Sequence, residues 1–252
     1  MNNVNEIFQK FIDELDKINE NQANEVVNKI VTQMQREVSV AETIIGGSYA
    51  KGTDIGVDSD LDLVFVLKPT FDISSEEELF SLVRKTLKPI SSIEPTTPYK
   101  ATKIKVDEIL VDVLITKYGA QGIIGEPQQT RRHVTEILKQ GTLFTNTIRI
   151  LKFWKNKKFE KEHTLKSFDL EIILGYVFQN FTIANYEEAI DNFYQYIVKT
   201  KLKNQLQFPP SGNAILYTTF ESPNKNSFIL ACGSELKELR AKNLKYFKEF
   251  YT

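Results

Sequence analysis

The chain has 252 residues, a net charge of −1, 41% hydrophobic and 26% charged residues, and one cysteine. This is the composition of a globular protein with one large core or two small ones. It excludes an intrachain disulfide and a multi-cysteine zinc module, and the near-neutral charge argues against a platform for long nucleic-acid duplexes. No apolar run approaches the roughly 18 residues of a membrane span. The start, "MNNVNEIFQKFIDEL", is acidic and amphipathic, unlike a secretory signal or an Arg-rich transit peptide. A cytoplasmic protein without membrane contact is expected.

In chain order, Ile7, Phe11, Leu15 and Ile18 recur at helical spacing, as do Val27, Ile30, Val31 and Met34. They predict two helices, or one broken helix, before Val38. "AETII" reads as a strand running into Gly46, and "LDLVFVL" as a second strand. "EEELFSLVRKTL" reads as a helix capped by Ser74 or Ser75. "ATKIKV" and "EILVDVLIT" read as a β-hairpin turning at Asp107–Glu108. From about Gln128 the pattern is helical. In "LFTNTIRILKFWK", Phe144, Ile148, Leu151 and Trp154 share one face, and Arg149, Lys152 and Lys155 the other. "SFDLEIILGYVFQNF" predicts a buried helix. "NYEEAIDNFYQYIVK" and "SELKELRAKNLKYFKEFY" predict amphipathic ones, with "QFPPSGNAILYTTFESPNKNS" as a loop between them. The layout is an α/β half, residues 1–125, followed by a helical half, residues 126–252.

The stretch "GGSYAKGTDIGVDSDLDLVFVL" carries the chemistry. Side chains alternate along a strand, so Asp60 and Asp62 point one way while Leu61, Leu63 and Phe65 point the other. Two carboxylates held this close repel when ionised, and a divalent cation such as Mg²⁺ offsets the repulsion. Asp112 interrupts the buried set Ile109, Val111, Val113 and Ile115. If its strand lies beside residues 60–67, three carboxylates converge, enough for two metals about 3.5–4 Å apart, as in in-line phosphoryl or nucleotidyl transfer. Gly46 and Gly47 allow a tight turn and close approach of a ligand. Ser48 offers a hydroxyl and a backbone N–H at a candidate helix start, where phosphate oxygens bind well. Lys51, in the same loop, is a further candidate for a phosphate contact. His133 and His163, flanked by charges, read as solvated, and the basic clusters "QTRRHV" and "KNKKFEKEH" as solvated faces or a backbone contact.

At these residues the sequence resembles the DNA polymerase β-type nucleotidyltransferase superfamily: a Gly-Gly-Ser turn, a spacer, Asp-x-Asp, and a third Asp on a neighbouring strand. It looks most like the branch of 2′-5′-oligoadenylate synthetases and cyclic GMP-AMP synthase-like (CD-NTase) enzymes. "TIRILKFWKNKK" and "LKSFDLEIILGYVF" are similar to the helices that open that branch's helical half. "TFESPNKNSF" resembles a late Pro-containing loop, with Glu221-Ser222 departing from its usual acidic-Pro pairing. The resemblance implies an α+β fold, with a mixed or antiparallel sheet flanked by helices, a helical C-terminal half, and a nucleotide cleft between the halves. It also implies that Gly47 and Ser48 bind donor phosphates and that Asp60 and Asp62 hold two Mg²⁺ or Mn²⁺ ions. Asp112 would hold the catalytic one and help activate the acceptor hydroxyl. Lys152 would contact the triphosphate, with Ser167 and Phe168 near the base. Lysine is a compact point charge for phosphate, and an aromatic face stacks on any base.

The function implied is template-independent synthesis of short linear or cyclic oligonucleotides from nucleoside triphosphates, ATP first among them, with release of pyrophosphate. Short RNA or an activating partner would complete the set of ligands. The alternatives are a CCA-adding or poly(A)-type enzyme acting on RNA 3′ ends, a catalytically silent RNA-binding or interaction module, and nucleotide transfer to an antibiotic or protein. The RNA-end enzymes usually carry an added RNA-binding domain, and this chain ends about where its helical half does. A silent module has no physical reason to keep three carboxylates together.

Overall fold

The computed structural model describes residues 3–56, 59–72, 75–97, 101–117, 127–159, 165–203, 206–208, 216–218 and 225–251. His163, Ser74 and Glu221-Ser222 lie outside these. Residues Asp16–Thr135 form one compact unit. Met1–Leu15 and Glu136–Thr252 form the other, so the first helix packs with the C-terminal helices.

The first unit is built on helix α2 (Glu20–Glu37) and strands β1 (Val40–Ile45), β2 (Leu61–Leu67), β3 (Ala101–Val106) and β4 (Ile109–Lys117), with the short helix α3 (Gly47–Ala50) and helix α4 (Glu76–Leu87) between them. The sheet is mixed, in the order β1-β2-β4-β3. β1 runs antiparallel to β2, β2 parallel to β4, and β4 antiparallel to β3. The hairpin turn at Asp107 and Glu108 has both residues at positive φ, 47° and 69°, the geometry that matches the twist of a two-residue connection. One sheet face carries Leu61, Leu63, Phe65 and Leu67 from β2 with Val111, Val113 and Ile115 from β4. These pack with Val26, Ile30 and Met34 of α2 and Leu79, Val83 and Leu87 of α4. Each such side chain contributes about 1.5–3 kcal/mol on burial. A slip of one residue would turn all of them outward, so this face sets the register of β2 against β4.

Helix α4 begins at Ser75, whose Oγ accepts the Glu78 N–H at 3.1 Å, and carries Glu76, Glu77 and Glu78 in its first turn. Ser75→Ala is expected to cost about 1 kcal/mol, seen as a lower urea midpoint with unchanged m-value.

The second unit is helical. Helix α1 (Val4–Glu14), the chain from Glu136, helices α6 (Thr142–Lys158), α7 (Ser167–Asn180), α8 (Tyr186–Thr200), α9 (Lys225–Arg240) and α10 (Leu244–Tyr251) share one core. Helix α5 (Pro127–Lys139) precedes α6. Phe8 meets Phe247 and Tyr251 edge-on, and Trp154 sits among Phe159, Tyr194 and Phe228.

Three details differ from the sequence reading. The stretch read as a loop contains an antiparallel pair, β5 (Leu206–Phe208) and β6 (Leu216–Thr218); three-residue strands are too short to show an alternation. The last helix is two, α9 starting at Lys225 and breaking at Lys242, where φ is 53°. Finally, α6 is buried on both faces: Arg149, Lys152 and Lys155 are as enclosed as Phe144 and Trp154. Charge can be buried where polar partners receive it. Arg149 Nη2 donates to the Leu15 carbonyl at 3.1 Å, and Lys155 Nζ to the Leu165 carbonyl at 3.2 Å.

Candidate active site

The Gly46–Gly47 turn lies directly on β2. The Gly46 N–H donates to the Asp62 carbonyl at 2.8 Å. Gly47 has φ +65°, and a Cβ there would fall on Asp62 Oδ2 and lie 2.5 Å from its Cγ. Helix α3 starts at Gly47 and has Ser48 as its second residue. The Ser48 carbonyl accepts the Thr53 N–H at 2.9 Å, and the buried Asp54 carboxylate accepts the Ile18 N–H at 2.9 Å. The loop is thus tied at both ends, and the missing side chain at position 47 is the room the Asp62 carboxylate occupies.

Asp62 faces away from the α2/α4 core. In the parallel register it stands opposite Asp112, on the face that carries Val64, Val66 and Leu114 further along. Asp60 precedes the strand by one residue. Burial, then the charges of Asp112 and Asp60, push the Asp62 carboxyl up to about 6, while Lys51 and Lys103 oppose the shift. The neighbours that most disfavour its charge are the other two acids of the set.

Lys103 completes the row. It stands opposite Asp112 in the antiparallel register, so β2, β4 and β3 set Asp62, Asp112 and Lys103 side by side. Lys103 Nζ donates to both Asp112 oxygens, at 2.7 and 2.9 Å, and lies 3.5 Å from Asp60 Oδ2. Burial pulls its ammonium down, but the hydrogen bond and charge of Asp112, with Asp60 adding, outweigh this and raise it above the ordinary value. The sequence reading passed over Lys103, because "ATKIKV" shows it only as one of two lysines on an outward face.

Among the described residues, no three His, Cys, Asp or Glu side chains form a group ready to hold an ion; Asp112 and Asp60 close on an ammonium instead. The donor set nonetheless fits a hard divalent cation. It consists of carboxylate oxygens on adjacent strands, one of them disfavoured as an anion by its neighbours, and it already draws in the one cationic group its register supplies.

The helical unit holds the remaining candidates. Lys152 is buried and pairs with Glu171 at 3.8 Å, and Glu171 is 1% exposed. Ser167 Oγ accepts from Lys155 Nζ at 3.4 Å. Burial lowers the Lys155 ammonium, with Asp169 opposing. Phe168 packs against the apolar core of its unit. Lys152 therefore sits beside Glu171, which the sequence reading did not name, and Ser167 beside Lys155, which it placed only on the polar face of this helix. His133 is half-buried.

A glycine turn over an Asp-x-Asp at the head of a strand, with a third Asp on the parallel neighbour, is the pattern of a nucleotidyltransferase of the polymerase β type. The family model described as nucleotidyltransferase domain matches residues 27–170, more than half of the chain, and the chain belongs to that family. No curated protein sequence matches it. Among solved structures, it is similar to CdnC from E. coli MS115-1 in complex with HORMA-deltaN, at 17% identity and TM-score 0.74, covering 98% of this chain and 95% of that one. It is similar to the CD-NTase CdnG of Bradyrhizobium diazoefficiens in complex with GTP, at 10% identity and TM-score 0.75, covering 98% and 97%. The Cid1 poly(U) polymerase bound to MgATP matches at 10% identity and TM-score 0.71, covering 97% and 98%. The fold is therefore the one that CD-NTases and poly(U) polymerase share. No helix among the described residues is long and apolar enough to cross a membrane.

Proposed function

We propose that the protein is a template-independent, metal-dependent nucleotidyltransferase that joins nucleoside triphosphates, ATP first among them, into short linear or cyclic oligonucleotides. The observation that carries this reading is the register of Asp62 against Asp112 beneath a glycine turn whose absent side chain makes room for the Asp62 carboxylate. In the reaction, the hydroxyl oxygen of one nucleotide bonds to the α-phosphorus of another. The bond from that phosphorus to the bridging oxygen breaks, and pyrophosphate leaves.

Asp60 and Asp62 would hold both Mg²⁺ or Mn²⁺ ions, and Asp112 one of them. Bound there, the ions supply positive charge that lowers the acceptor hydroxyl's pKa and neutralises the leaving pyrophosphate. Asp112 orients the acceptor hydroxyl and helps draw off its proton. Gly47 and Ser48 present backbone and hydroxyl donors to the donor phosphates. Lys152 neutralises the triphosphate, and Ser167 and Phe168 border the base. Lys152 starts buried against Glu171, so triphosphate contact requires it to exchange a carboxylate for a phosphate partner. The site is assigned to a cytoplasmic enzyme that meets soluble nucleotides, and activation by a protein partner or short RNA belongs to the same reading.

The second reading is transfer to an RNA 3′ end, favoured by the similarity to the poly(U) polymerase. One experiment separates the two. The protein is incubated with each triphosphate alone and in mixtures, with Mg²⁺ or Mn²⁺, with and without a short RNA, and the products are resolved by mass spectrometry. Oligonucleotides and pyrophosphate without RNA are expected, lost on adding EDTA. Extension of the RNA alone would select the second reading, and no nucleotide consumption under any condition would overturn both.

A further inference from the structure

We infer that Lys103 is a built-in counter-ion of the acidic site, an ammonium that occupies Asp112 and Asp60 until a divalent metal displaces it. The inference rests on the metal-site reading above and concerns how that site loads.

The hairpin register sets Lys103 across from Asp112, and its Nζ bonds both carboxylate oxygens. A metal on Asp112 would need the same lone pairs at about 2.1 Å, and its double charge would stand against the ammonium. The two cations therefore compete for Asp112. Lys105 is the control within the same strand. It shares the outward face with Lys103 but pairs with Glu108, which is 82% exposed, against 19% for Asp112. The Lys105 pair is an ordinary surface contact, worth little. The Lys103 pair is shielded on its Asp112 side only, and breaking it costs more.

The Lys103 side chain is 41% exposed, so its four-carbon stem has room to swing off the acids. Asp62, more deeply buried, feels Lys103 through its charge. A metal that takes Asp112 therefore frees the ammonium to solvent. Lys103 thus offsets part of the charge of Asp112 and Asp60 while no metal is bound.

The test is a Mn²⁺ titration of the full chain without nucleotide, reading free Mn²⁺ by electron paramagnetic resonance, for wild type, Lys103→Met and Lys105→Met. Lys103→Met is expected to tighten Mn²⁺ binding about tenfold, the effect of one partly shielded charge pair, with Lys105→Met unchanged. Equal or weaker binding by Lys103→Met overturns the inference while leaving the metal site standing. No Mn²⁺ binding by either protein overturns both. Acetylation of the wild type, followed by mass spectrometry, needs no variant to fold. Lys103 is expected to label slowly in EDTA and faster with saturating Mn²⁺, while Lys105 labels equally in both. An unchanged Lys103 rate overturns the inference.

Discussion

Asp62→Asn is expected to abolish nucleotide transfer and, in metal-free buffer at neutral pH, to make the protein more stable. The two effects share one cause. The fold raises the Asp62 carboxyl from 3.8 to about 6 by burying it beside Asp112 and Asp60. Below about pH 3, both the folded and the unfolded chain keep the proton, and the site costs nothing. As pH rises from about 4 to 6, the unfolded chain ionises while the fold keeps its proton, so stability falls across that window and levels off above it. Two pH units at about 1.4 kcal/mol each amount to about 3 kcal/mol. Asparagine keeps the shape without the charge. The variant should gain about 1–3 kcal/mol at pH 7–8, a few degrees in Tm for each kcal/mol, and lose that gain by about pH 3. Adding Mn²⁺ should raise the wild-type Tm and leave the variant unmoved. Turnover should drop about 10³-fold or more, since several kcal/mol of metal stabilisation are lost. A variant destabilised at pH 8, or one that still makes product, would refute the assignment of this carboxylate. The instability of the empty site is what a metal would relieve, so the site is poised to bind.

The acidic face was legible in the sequence because a buried strand alternates. Leu61, Leu63 and Phe65 on β2, and Val111, Val113 and Ile115 on β4, allow one orientation of each strand, and Asp62 and Asp112 then have no other side to face. The hairpin held the signal for Lys103 as well. A two-residue turn at Asp107–Glu108 pairs Val106 with Ile109, and counting outward pairs Lys103 with Asp112. What hides it is side-chain chemistry, since a lysine on an outward strand face reads as solvated wherever its partner comes from a different element.

The helical unit was less legible for the same reason. Periodicity treats Arg149, Lys152 and Lys155 as a polar stripe. Their burial depends on Leu15, Glu171, Leu165 and Ser167, which arrive from elsewhere in the chain. The break between α9 and α10 has no glycine to mark it, because Lys242 itself takes the positive φ. The placement of Asp62 against Asp112 was readable because neighbouring strands have fixed registers, whereas helix partners are set by packing that no local pattern encodes.

Gly47→Ala should separate the site from the fold, with Gly52→Ala as its control. Both glycines have nearly the same backbone, φ +65° and +64°. Alanine in that region costs about 1–2 kcal/mol at either position. Their surroundings differ. A Cβ at Gly52 meets nothing within 4 Å, while one at Gly47 collides with the Asp62 carboxylate from Oδ2 back to Cβ, which lies 3.0 Å away. Asp62 is too short to bend only its tip aside, so the whole side chain must turn from the row it forms with Asp112. A displacement of an ångström at a reacting centre costs about 10²-fold. Gly47→Ala should therefore lose at least about 10²-fold in turnover and bind Mn²⁺ more weakly, with a melting temperature within a few degrees of Gly52→Ala. Gly52→Ala should keep its turnover. Equal activity in the two variants would mean that the glycine turn does not set the position of Asp62. Loss in both would trace the defect to loop strain, and only loss confined to Gly47→Ala ties the turn to the carboxylate beneath it.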